Sequence, residues 1–124
     1  MGTIKSFREL IVWQKSMDLA VGIYRATEKY PKSELFGLAL QMRRAAVSIP
    51  SNIAEGQSRN SRNEFRHFLG IARGSLAELK TQIELSSRLE MLKAEDTAIF
   101  MNLIEEIGKM LSGLKRSLPP KSDN

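Results

Sequence analysis

The sequence predicts an all-α fold, an antiparallel up-down-up-down bundle of four helices. Three observations carry that prediction. Apolar residues return at alternating intervals of three and four along four separate segments, no segment alternates apolar and polar residues as a strand would, and proline, glycine and serine punctuate the chain between them. Helices joined by short connections pack beside their sequence neighbours in opposite directions, which gives the up-down-up-down order.

The first segment runs through Leu10, Trp13, Met17, Ala20, Tyr24 and Thr27 and stops where Pro31 follows a basic end. Ser33 reads as the N-cap of the second segment. That segment carries Leu35, Leu38, Met42, Ala46, Ile49 and Ile53 and closes at Gly56, a residue suited to the left-handed conformation that ends helices. Pro50 falls inside it. A proline removes an amide donor and crowds the carbonyl four residues back, here that of Ala46. The apolar interval nevertheless continues from Ile49 to Ile53, so the pattern predicts one helix kinked near Pro50 rather than two helices.

Ser61 and Glu64 have the spacing of a capping box, which starts the third segment. Its stripe of Phe65, Leu69, Ala72, Leu76, Leu79 and Ile83 is the most regular in the chain, and Gly70 and Gly74, four apart within it, suggest close helix packing. The fourth segment begins near Asp96 and carries Phe100, Leu103, Ile107, Met110 and Leu114 before Pro119 and Pro120 end it. These segments make residues 1–118 a single domain, with a disordered tail over 119–124.

Composition excludes several classes of function. Of the 124 residues, 27% are charged and 42% hydrophobic, the balance of a soluble globular domain. No apolar run approaches the roughly 18 residues of a membrane span. The N-terminus lacks the apolar centre of a signal peptide and the chain has no cysteine, so a cytoplasmic location is expected.

The inventory for catalysis is thin. His67 is the only histidine and lies two residues before Leu69, off the apolar stripe. Glu64 and His67 have the Glu-x-x-His spacing of di-metal bundles, which repeat that pair on a second helix. No second copy exists here. The glycines of "GIARGS" do not follow a strand and so form no phosphate loop, and no set of nucleophile, base and orienting group recurs. The expectation is a protein without catalytic residues, metal or cofactor.

Charge is more informative. The chain is +5 overall, and between Arg43 and Arg88 eight Lys or Arg face four Glu. Arg59, Arg66, Arg73 and Lys80 are each seven residues apart, with Arg62 beside the first, and a seven-residue interval drifts only about 20° around a helix. One reading is a solvated flank or ion pairs to a neighbouring helix. The other is a line of cations for a phosphate backbone, RNA or DNA, which needs no contact with base edges. On the second helix, Gln41, Arg44, Ser48, Ser51 and Glu55 form a polar line at helical spacing. It reads either as a wet surface whose serines satisfy backbone groups near the kink or as a contact surface toward another subunit or a ligand.

The runs "QMRRAAVSIPSNIAEG" and "FLGIARGSLAELKTQ", within a match over about residues 7 to 92, resemble the 23S ribosomal RNA intervening-sequence family. The resemblance implies a small bacterial four-helix bundle without enzymatic activity that assembles into a ring, typically a homopentamer. The chain is also similar to the accessory proteins of diversity-generating retroelements, which implies association with a reverse transcriptase and nucleic acid. A protein-interaction scaffold, whose arginines pair with glutamates of neighbouring subunits or of such an enzyme, therefore stands beside the nucleic-acid reading.

Overall fold

The computed structural model describes residues 6–118. Four helices account for most of them: α1 (Ile11–Thr27), α2 (Leu38–Gln57), α3 (Arg62–Arg88) and α4 (Ala94–Arg116), with short 3-10 turns at Phe7–Glu9 and Lys32–Glu34. Among the described residues there is no strand. The expected tail over 119–124 lies outside the described residues.

Pairs of facing residues give the direction of each helix. Ser48 meets Ser75, Ser86 meets Met42, and Gly56 lies against Phe65 and Phe68, so α2 and α3 run antiparallel. Arg66 reaches Lys115 and Leu118 while Leu76 lies beside Gly108, so α3 and α4 do likewise. Lys15 bridges to Glu106 at 3.1 Å and Gly22 abuts Phe100, which sets α1 antiparallel to α4. Each helix packs on its sequence neighbours and α4 closes the circle on α1, whereas the diagonal pairs stay apart. This is the expected up-down-up-down bundle.

The core follows the expected apolar stripe on α2 and α3. On α4 it takes Phe100 and Ile107 as expected, but Ile104 and Leu111 in place of Leu103, Met110 and Leu114, which are half-buried. Met42, Ile49 and Ile53 of α2, Leu69, Leu79 and Ile83 of α3, and Ile107 and Leu111 of α4 are wholly excluded from solvent. On α1 the structure corrects the expectation. Val12, Leu19 and Ile23 face the core, whereas Met17 and Tyr24, expected there, lie on the surface with Trp13 half-buried beside them. This helix is apolar on two sides, so periodicity alone supports either. Buried hydroxyls on its inner side bond within the helix: Ser16 Oγ donates to the Val12 carbonyl and Thr27 Oγ1 to that of Ile23, each at 2.7 Å. Such local bonding removes the cost of burying them unpaired.

Helix α2 continues through Pro50, as the apolar interval predicts. Its ends differ from expectation. Ser33 lies in the 3-10 turn, Leu35 is exposed, and α2 starts only at Leu38, whose amide donates to Glu34 Oε1 at 3.0 Å. A carboxylate four residues upstream thus takes the capping role assigned to a serine. Helix α2 does end beside Gly56, its penultimate residue, but that glycine is helical, with no left-handed conformation. A Cβ there would lie 2.8 Å from Phe68 Cβ and 2.9 Å from Phe65 Cδ1, so close approach of α3 requires the glycine. Gly70 and Gly74 show the reverse: a Cβ on Gly74 meets nothing within 4 Å, and one on Gly70 only the tip of Lys115 at 3.8 Å. Neither is a packing glycine in the bundle.

Ser61 caps α3 as expected, its Oγ accepting from the Glu64 amide at 3.0 Å. The far end of α3 closes on Glu90, whose φ is 60°. The Met91 amide bonds to the Ser86 carbonyl at 2.9 Å and the Glu90 amide to that of Ser87 at 3.0 Å, the paired bonds of a Schellman motif. A side chain in this region is strained by roughly 1 to 2 kcal/mol. Glu90→Gly should therefore raise the unfolding free energy by about 1 kcal/mol, seen as a higher denaturant midpoint at unchanged slope.

Candidate nucleic-acid interface

The seven-residue line of cations on α3 does not act as one surface. Near the start of the helix its members are committed within the chain. Arg59 bonds Glu55 through Nη2 at 2.6 Å, lies 3.9 Å from Glu64 and stacks over Phe68 at 5.1 Å from the ring centre. Arg66 is half-buried and donates through Nη1 to the carbonyls of Lys115 and Leu118, both at 2.8 Å. Those groups belong to the C-terminal end of α4, where unpaired carbonyls concentrate negative partial charge. Arg43 does the same for α1, with Nε on Thr27 Oγ1 at 2.8 Å, Nη2 on the Tyr24 carbonyl at 3.2 Å and its plane over the Tyr24 ring. Both arginines are helix fasteners.

Arg66→Gln should therefore act on stability. Losing a charged donor shared by two part-buried carbonyls costs about 1 to 3 kcal/mol. A thermal melt unchanged by the substitution would contradict this assignment.

The other members of the line, Arg62, Arg73 and Lys80, make no ion pair among the described residues. Arg62 is exposed at the first turn of α3. Arg73 and Lys80, also exposed, edge a groove of about 410 Å³ between α3 and α4, whose opposite edge carries Lys109 and Arg116. Its floor is Leu76, Ala77, Ile104 and Gly108, and Glu105 is its one acidic residue among those described. Four cations on two rigid, antiparallel helices thus converge on one apolar-floored trough. Sequence reasoning had missed the α4 pair, although Lys109 and Arg116 repeat the seven-residue interval of α3. Only the packing of the two helices brings the two intervals together.

The polar line of α2 also divides. Ser48 is half-buried and bonds Ser75 Oγ of α3 at 2.7 Å, and the Asn52 amide donates to the Ser48 carbonyl and hydroxyl at 2.7 and 2.9 Å. Glu55 is held by Arg59. Gln41, Arg44 and Ser51 are exposed, Ser51 lining a groove toward α1. His67 is exposed with its ring edge-on to Phe68. Among the described residues no three His, Cys, Asp or Glu side chains cluster as a metal site would require, and no helix is long and apolar enough to cross a membrane.

The fold defines a basic all-helical bundle with a cationic groove on one side. The chain belongs to the family of 23S rRNA-intervening sequence proteins, whose model matches residues 8–113. It is similar to the crystal structure of a protein of unknown function from the S23 ribosomal protein family of Bacteroides thetaiotaomicron, with a TM-score of 0.77 and 29% identity over 86% of this chain and 99% of that one. A comparison with curated proteins gave no match.

Proposed function

We propose that this protein is a non-catalytic oligomeric bundle that holds nucleic acid by its phosphate backbone, in the groove between α3 and α4. The observation that carries the reading is the convergence of Arg73, Lys80, Lys109 and Arg116 around that groove, where Glu105 is the one acidic side chain among the described residues. Cations without internal partners retain their full attraction for phosphates, and each phosphate neutralised releases condensed counterions. Arg62 adds an exposed cation at the start of α3, whereas Arg59 is held by Glu55 and Arg66 by the end of α4.

Recognition on this basis is tolerant of sequence, because phosphate contacts position a nucleic acid without reading its bases. The groove exposes no aromatic side chain on which bases could stack. A ring of copies would repeat the groove around an axis and so convert a weak contact into a strong one. No step of this role calls on a metal, a cofactor or a nucleophile.

The test is binding of wild-type protein to labelled duplex DNA and to RNA strands of unrelated sequence, at about 50 mM salt where electrostatic contacts are strong. Comparable affinity across sequences is expected. Absence of binding to every probe would overturn the reading and leave the exposed cations to a protein partner such as a reverse transcriptase.

A further inference from the structure

Helix α1 has a second apolar face, which the other described residues leave open. Trp13 is half-buried, and Met17, Val21 and Tyr24 are 40%, 45% and 43% exposed. With Val47 of α2, itself 42% exposed, they wall a groove of about 580 Å³ floored by Ala20, Pro50 and Ala54. Contiguous apolar surface of this kind marks a contact site rather than a solvent face.

Charge narrows the choice of occupant. The groove contains one cation, Arg25, and one anion, Glu28, and so is neutral on a chain whose net charge is +5. Nucleic acid would find no line of cations here, and an acidic protein would be drawn to the α3/α4 side. For a second copy of this basic chain, the neutral face is where like-charge repulsion is least. The packing order α1, α2, α3, α4 also sets the two grooves on opposite sides of the bundle, so a copy seated on α1 and α2 leaves the cationic groove open.

The same chain carries a matching projection. Phe36, in the turn before α2, is 88% exposed, the highest value among the described large hydrophobic residues, and it does not line its own chain's groove. A buried aromatic anchor in an apolar pocket is the usual centre of a protein contact. We infer that a second copy docks head to tail, with Phe36 of one copy seated in the groove formed by Trp13, Met17, Val21, Tyr24 and Val47 of the next. This inference rests on reading the protein as an oligomer. Knob and groove lie at different places, so each copy gives one and receives one, a head-to-tail contact that joins more than two copies. Ser51 within the groove and Arg44 beside Tyr24 and Val47 make part of the polar line of α2 its rim.

Light scattering on wild type, Phe36→Asp and Val21→Asp, each checked for helical content by circular dichroism, tests the contact. Wild type is expected to be an oligomer at micromolar concentration and both variants monomers. Mixing the two variants should restore only a 1:1 pair, because one keeps an intact groove and the other an intact knob. Should Val21→Asp not fold, Val47→Asp blocks the groove from the other wall. A monomeric wild type would remove the assembly itself. An oligomeric wild type with Phe36→Asp unchanged in mass, or variants that fail to pair on mixing, would overturn the contact while leaving assembly standing.

Discussion

Leu79→Ala is expected to lower the unfolding free energy by about 2 to 5 kcal/mol. Leu79 is wholly buried near the middle of α3, and Leu76, three residues away, also faces inward beside Gly108 of α4. Truncation there removes the transfer free energy of the lost carbons and leaves a cavity that long helices, fixed on both sides, cannot collapse to fill. A domain of this size has a total stability of roughly 5 to 15 kcal/mol, so the variant should sit near the edge of folding. Urea denaturation followed by circular dichroism measures the change. A shift below about 1 kcal/mol would mean that α3 is not the central element of the core.

Neutralising the groove is the second large effect. Replacing Arg73, Lys80, Lys109 and Arg116 together with Gln should weaken nucleic-acid binding about 100-fold or more at ~50 mM salt, because four counterion-releasing contacts are lost at once. Folding should be untouched, since Arg73, Lys80, Lys109 and Arg116 are exposed and make no ion pair among the described residues. Surface substitutions of that kind stay within about 0.5 kcal/mol. Unchanged affinity with an unchanged melt would move the contact away from α3 and α4.

Much of this arrangement is legible in the sequence, and the exceptions have physical causes. The stripes of α2 and α3 give most of their buried residues directly, with Leu38 and Phe65 half-buried. On α4 the stripe gives Phe100 and Ile107 but misses the buried Ile104 and Leu111, because Leu103, Met110 and Leu114 beside them are apolar too. Helix α1 misleads because Trp13, Met17 and Tyr24 continue an apolar interval as regular as that of Val12, Leu19 and Ile23. A periodicity argument assigns one apolar face per helix, and here one faces the core while the other faces outward. Gly56 misleads for a related reason: glycine serves both at helix ends and wherever another element comes close, and only the positions of Phe65 and Phe68 decide between them.

The candidate site shows the same division. The interval from Arg59 to Lys80 is visible as a stripe, but it does not show that Arg66 fastens the end of α4 or that Glu55 occupies Arg59. Those partners are long-range or depend on which face of a helix is free. The α4 cations carry no meaning alone, and acquire it when antiparallel packing sets Lys109 and Arg116 across a trough from Arg73 and Lys80.

The dependence of binding on salt tests the central claim most directly. Measured for wild type, for Arg73→Gln/Lys80→Gln and for Arg66→Gln, the slope of log affinity against log salt reports how many phosphates each form engages. On duplex DNA, loss of Arg73 and Lys80 should make the slope shallower by about 1.8, the share of two contacts, while loss of Arg66 should leave it unchanged. An identical slope for wild type and the Arg73/Lys80 variant, or a shallower one for Arg66→Gln alone, would contradict the assignment of phosphate binding to the α3/α4 groove.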